Sequence, residues 1–103
     1  MKVASVTYTT RADFAEQNQN NIRSVMSDLQ KLQIPGIRYT SCLKADGKTF
    51  IHTLFFKSDE DQKTLSQLPS FKHFQAELQA SGLEMPPKQE TLSLVGSSND
   101  ILS

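Results

Sequence analysis

Cysteine occurs once in this sequence, at position 42, so no disulfide can close within the chain. That points to a reducing compartment, and the expectation is a cytoplasmic protein. One thiol and two histidines, His52 and His73, stand at scattered spacing and form no metal signature. Four glycines are present, none in a phosphate-cradling loop, so nothing suggests a nucleotide cofactor. Lys plus Arg equals Asp plus Glu at 11 each, and no segment gathers the positive charge. Nucleic acid is therefore not an expected partner. No apolar run approaches the ~20 residues of a membrane span. The chain runs from Met1 straight into a strand-like pattern, with no signal-peptide core. A length of 103 residues suits one domain with one core. We expect that domain over residues 1–96, followed by a small, polar, flexible tail over 97–103.

What the chain does have is one strong strand, Lys48 to Phe56. It is rich in aromatic and β-branched residues and lies between an Asp46-Gly47 turn and Ser58-Asp59-Glu60-Asp61. Phe50, His52, Leu54 and Phe56 share one pleat face; Ile51, Thr53 and Phe55 share the other. Apolar side chains on both faces require cover on both. Helices can supply one cover, with Phe56 on their side. A second copy of the chain is expected to supply the other.

Around this strand the pattern reads β-α-β-β-α-β. Val3 to Thr9 alternates as a first strand. Thr10 to Asp13 fits a capping box for a helix reaching about Gln33, with Phe14, Ile22, Val25, Met26, Leu29 and Leu32 as its apolar stripe. Asn18 falls on that stripe. Pro35-Gly36 stops the helix, and Ile37 to Lys44 forms strand two. Ala45 to Lys48 is a hairpin signal, since Asp-Gly tolerates positive φ. Ser58-x-x-Asp61 opens another helix that Pro69 interrupts. Ser70 caps its restart, Phe71, Phe74 and Leu78 face inward, and Gly82 is the stop. Met85-Pro86-Pro87 reads as an extended connector and Lys88 to Gly96 as strand four. The order predicts an α+β, ferredoxin-like fold: a four-stranded antiparallel sheet with helices on one face.

Several of these features together resemble the antibiotic-biosynthesis-monooxygenase-like family of dimeric α/β barrels. They are Leu-x-x-Leu-x-x-Pro-Gly-Ile (Leu29 to Ile37), the Asp-Gly hairpin, Thr49-Phe50-Ile51 running to Phe56, and Ser70-Phe71-x-x-Phe74 before Leu78. The resemblance covers about Lys2 to Gly96. It implies sheet-to-sheet homodimers and, in part of the family, cofactor-independent oxygenation of phenols and quinols. The Glu-x-Trp that often ends the third strand is Leu54-Phe55-Phe56 here. Aligned on Phe56 and Phe71, the haem-degrading branch's tryptophan falls on Leu65 and its haem-binding histidine on Gln75. His73 lies about 200° around the helix from there. No haem, and no other cofactor, is expected.

His52 is the candidate base for ionising a phenolic substrate, because an imidazole titrates near neutral pH. The structural alternative is a histidine hydrogen-bonded within the core or at the subunit seam. Tyr8, Asn18, Tyr39 and Phe56 are the candidate pocket residues, each with an ordinary structural alternative at a core edge or helix start. A buried Asn18 would need partners, with Tyr8, Tyr39 or a ligand within reach of the pattern. His73, Arg23 and Arg38 read as solvated surface, and Cys42 as a small core residue. The two functional readings are a cofactorless monooxygenase for a small aromatic or quinol-type substrate and a non-catalytic ligand-binding or interaction module.

Overall fold

The two faces of the Lys48–Phe56 stretch part as the alternation requires. In the computed structural model, which describes residues 1–102, Phe50, His52, Leu54 and Phe56 are buried, whereas Ile51, Thr53 and Phe55 are only half-buried. The elements are β1 (Lys2–Thr9), α1 (Ala15–Leu32), β2 (Ile37–Leu43), β3 (Thr49–Phe56), α2 (Asp59–Gln67), α3 (Pro69–Ala80) and β4 (Met85–Leu92). All pairs are antiparallel and the sheet order is β2-β3-β1-β4. This is the expected ferredoxin-like arrangement. One core joins Tyr8, Ile37, Phe50, Leu54 and Phe56 of the sheet to Ala15, Ile22 and Val25 of α1, Leu65 of α2, and Phe74 and Leu78 of α3. Each fully buried Phe or Leu contributes about 1.5–3 kcal/mol. Asn21 Nδ2 donates to Glu77 Oε1 at 2.7 Å and ties α1 to α3.

Several local expectations are corrected. The Thr10–Asp13 capping box does not form: α1 begins at Ala15 with Phe14 at its N-cap and no side-chain cap. Thr10 is instead fully buried, its amide and hydroxyl both donating to the Lys48 carbonyl, while Arg11 pairs with Asp13. Leu32, placed on the apolar stripe, is 54% exposed because it lies in the last turn, beyond the core. Gln33, not Gly36, takes the left-handed conformation that ends α1, at φ 50°. A Cβ at Gly36 would meet the Asp61 carboxylate, which would have to swing aside. The Ser58 cap does form, its hydroxyl accepting from the Asp61 amide. Ser70 is no cap: α3 starts at Pro69, with Leu68 as N-cap.

Strand four begins and ends earlier than its pattern suggested. Met85, Pro86 and Pro87 belong to it because β4 bulges there: between Thr7↔Lys88 and Thr9↔Met85, two prolines stand opposite Tyr8 alone. An edge-strand bulge needs no amide from either proline. Pairing stops at Val3↔Leu92, so Ser93 to Gly96 have no strand partner. Beyond them, the Ile101 carbonyl accepts from Arg38 Nε at 2.9 Å. The tail's last residue, Ser103, lies outside the described residues. Cys42 is exposed, not core, because it shares the open face of edge strand β2 with its register partner Ile51.

The β2–β3 loop spans Ala45 to Lys48, closed by Lys44 N donating to Thr49 O at 2.8 Å. Asp46 organises it. Its carboxylate accepts from the Thr49 hydroxyl and from the Lys48 and Thr49 amides, which hold its pKa down at about 2. Gly47 sits at φ 76° with open space where a Cβ would be. Gly47→Val should therefore cost about 1 kcal/mol through backbone strain alone. Thermal melts should show a drop of about 4–8 °C, with Gly47→Asn falling between valine and wild type.

Candidate functional site

The buried face of the sheet is not fully filled. Between it and helices α2 and α3 lies a cavity of about 320 Å³. Its floor is Ala4, Val6, Tyr8, Tyr39, His52, Leu54 and Phe56, and its roof is Leu65, Phe71, Phe74 and Leu78. Gln62, Ser66, Gln75, Gln79, Pro87 and Gln89 complete the wall, which contains no Asp, Glu, Lys or Arg among the described residues. Pockets for small ligands are commonly of this kind, apolar with a few placed polar groups.

The polar groups form one chain. Asn18 Nδ2 donates to Tyr8 Oη at 2.9 Å. Tyr8 Oη lies 2.7 Å from His52 Nε2, and Tyr39 Oη lies 2.7 Å from His52 Nδ1. Strand register builds this arrangement. His52 stands opposite Val6 on β1 and Ser41 on β2, so Tyr8 and Tyr39 occupy the two diagonal positions on its own face. The Tyr8 ring lies nearly parallel to the imidazole, with centroids 5.2 Å apart, and Phe74 of α3 packs against it at 5.6 Å. Asn18, 0% exposed on the inner side of α1, meets Tyr8 from behind and does not line the cavity.

Burial sets the electrostatics. It pushes the His52 pKa down from about 6.5 to about 4, so the imidazole is neutral at pH 7, with one nitrogen donating and one accepting. Burial also raises both tyrosine hydroxyls well above their ordinary range. The structure thus brings His52, Tyr8, Tyr39 and Asn18 into a single hydrogen-bonded chain and puts Phe56 on the same cavity wall. His73 is on the surface beside Glu77, and Leu65 and Gln75 line the cavity. Sequence reasoning missed the sharing of one imidazole by two tyrosines. It also missed the amide-rich wall from α2, α3 and β4. The strand alternation held the first signal, had the three strands been set in register. Among the described residues no cluster of three or more His, Cys, Asp or Glu could hold a metal ion, and no helix is long and apolar enough to cross a membrane.

No protein-family model matches the chain, and no curated protein matches it by sequence. Solved structures do match it. A "Putative antibiotic biosynthesis monooxygenase from Nitrosomonas europaea" superposes with a TM-score of 0.78 at 17% identity, covering 93% of this chain and 100% of that one. This chain has the antibiotic-biosynthesis-monooxygenase-like fold. Another protein of that description, from Deinococcus radiodurans, gives 0.72 at 15% identity with both chains fully covered. Rv0793 from Mycobacterium tuberculosis gives 0.75 at 16%, covering 96% of this chain and 100% of its own. Identities this low carry the fold and leave the chemistry to the residues themselves.

The buried neutral His52 has a consequence for stability. Its folded pKa lies below its unfolded value, so the unfolded state binds the proton more readily. The contribution is complete above pH 6.5 and is lost as pH falls toward 4, by roughly 3 kcal/mol in all. Urea unfolding at pH 7, 6 and 5 should show a steep decline in wild type that is much flatter in His52→Gln.

Proposed function

We propose that this protein is a cofactor-independent monooxygenase for a small, uncharged aromatic substrate of the phenol or quinol type; the names of its fold relatives suggest a monooxygenase and no substrate. The observation that carries this reading is the cavity of about 320 Å³ with His52 in its wall. The chemistry needs no external electron donor. A phenolic substrate gives up its hydroxyl proton toward His52 through Tyr39, and the electron-rich ring reduces dioxygen. A carbon–oxygen bond forms, a peroxide results, and loss of water leaves a carbonyl. One oxygen atom ends in product and one in water, and the substrate, losing two hydrogens as a ring carbon becomes a carbonyl, supplies all four electrons. At a pKa of about 4 His52 is a weak acceptor. A developing phenolate alongside would raise its proton affinity, because an opposite charge favours the charged form.

One observation favours the second reading, a non-catalytic ligand-binding module: both nitrogens of His52 are already engaged by tyrosines. Oxygen uptake with a panel of quinols and anthrones separates the two. The oxygenase reading expects consumption that His52→Ala reduces by about two orders of magnitude. No uptake across the panel would leave the binding module.

We further propose that residues 1–96 act as one cytoplasmic domain and that this domain works as a homodimer through the open sheet face. Ile51, Thr53 and Phe55 remain half-buried on that face in a single chain. Twofold symmetry would use each contact twice. Phe55→Glu would place two unpaired charges in the seam and oppose association. Sedimentation across micromolar concentrations should show a wild-type dimer and a dissociated variant. A stable wild-type monomer would contradict the dimer.

A further inference from the structure

The hydrogen-bond chain has two consistent proton arrangements, and they differ in what reaches the cavity. In the first, Asn18 Nδ2 donates to Tyr8 Oη, Tyr8 donates to Nε2, and Nδ1–H donates to Tyr39 Oη. The hydroxyl hydrogen of Tyr39 is then free. In the second, every bond runs the other way: Tyr39 donates to Nδ1, Nε2–H donates to Tyr8 Oη, and Tyr8 donates to Asn18. That last step needs an acceptor at position 18, and a half-turn of the amide presents Oδ1 there. Oδ1 is buried and has no other partner among the described residues. A neutral imidazole, donor at one nitrogen and acceptor at the other, ties the directions of its two tyrosine bonds to each other.

Spare capacity is greatest at one end. His52 uses both nitrogens, and Tyr8 Oη has two partners. Tyr39 Oη has a single partner among the described residues, His52, and Tyr39 lines the cavity. The wall carries no formal charge to attract an ionic ligand. We propose that Tyr39 is the ligand-contacting end of a reversible relay, accepting from an aromatic hydroxyl and donating to an aromatic carbonyl, with His52 switching tautomer between the two. The cavity would thereby hold both a phenol and the quinone derived from it. This deepens the proposed function by assigning its ligand class, and it rests on that cavity being the ligand site but not on turnover.

The probes are 1-naphthol and 1,4-naphthoquinone, with naphthalene and 2-naphthoate as controls. Long-range ¹⁵N NMR on the anaerobic wild-type protein reads which His52 nitrogen carries the proton. The expected result is an Nε2–H tautomer with 1-naphthol and an Nδ1–H tautomer with 1,4-naphthoquinone. Tyr39→Phe should weaken both polar probes about three- to tenfold and leave naphthalene unchanged. 2-Naphthoate should bind at least tenfold more weakly than 1-naphthol. Failure of either polar probe to bind, one tautomer in both complexes, an imidazolium in either, or equal binding by Tyr39→Phe would overturn the proposal. A tautomer switch without oxygen uptake would reject the oxygenase reading and leave the relay intact.

Discussion

Two tyrosines from two different strands share one buried imidazole, and much of this molecule is arranged to let them. His52 is 2% exposed, so its ring nitrogens must find partners inside the protein. Only antiparallel register puts Tyr8 and Tyr39 diagonally on either side of it. The Asp46 loop fixes the start of β3, and Thr10, held by the Lys48 carbonyl, anchors the end of β1 beside it. A slip of one residue would turn His52 toward the open face and remove both bonds. The polar chain thus specifies register while contributing little net energy, since each such bond is worth about 1 kcal/mol beyond the water it replaces.

The same chain gives the cavity its chemical character. With His52 neutral and no charged side chain in the wall, the site offers only hydrogen bonds and apolar surface. Such a site selects against ions through desolvation, which no group in the wall offsets. It suits an aromatic body with one polar handle. The absence of Glu-x-Trp at Leu54-Phe55-Phe56 fits that character, because a carboxylate at this point would bring charge to the inner face.

Much of the fold was legible because it rests on periodicity. The alternation of β3 assigned its two faces correctly, and Asp46-Gly47 and Ser58-x-x-Asp61 marked real local structures. The failures have physical causes. Thr10 has the chemistry of an N-cap, but a tertiary contact to Lys48 engages it first. Pro86-Pro87 reads as a connector until a bulge on an edge strand removes the need for their amides. The candidate site was legible as residue types, with Tyr8, Asn18, Tyr39, His52 and Phe56 each singled out. Their connection was not, because it depends on cross-strand register, which no single strand encodes.

If the imidazole couples the two tyrosines, they cannot act independently on stability. A double-mutant cycle of Tyr8→Phe and Tyr39→Phe, followed by urea unfolding at pH 7, tests this most directly. Loss of either hydroxyl leaves His52 with an unsatisfied nitrogen and frees the remaining bond to choose its own direction. We predict a coupling free energy of at least ~0.5 kcal/mol between the two substitutions. Effects that add within about 0.3 kcal/mol would show two separate hydrogen bonds that happen to end on the same ring, and would contradict a shared relay.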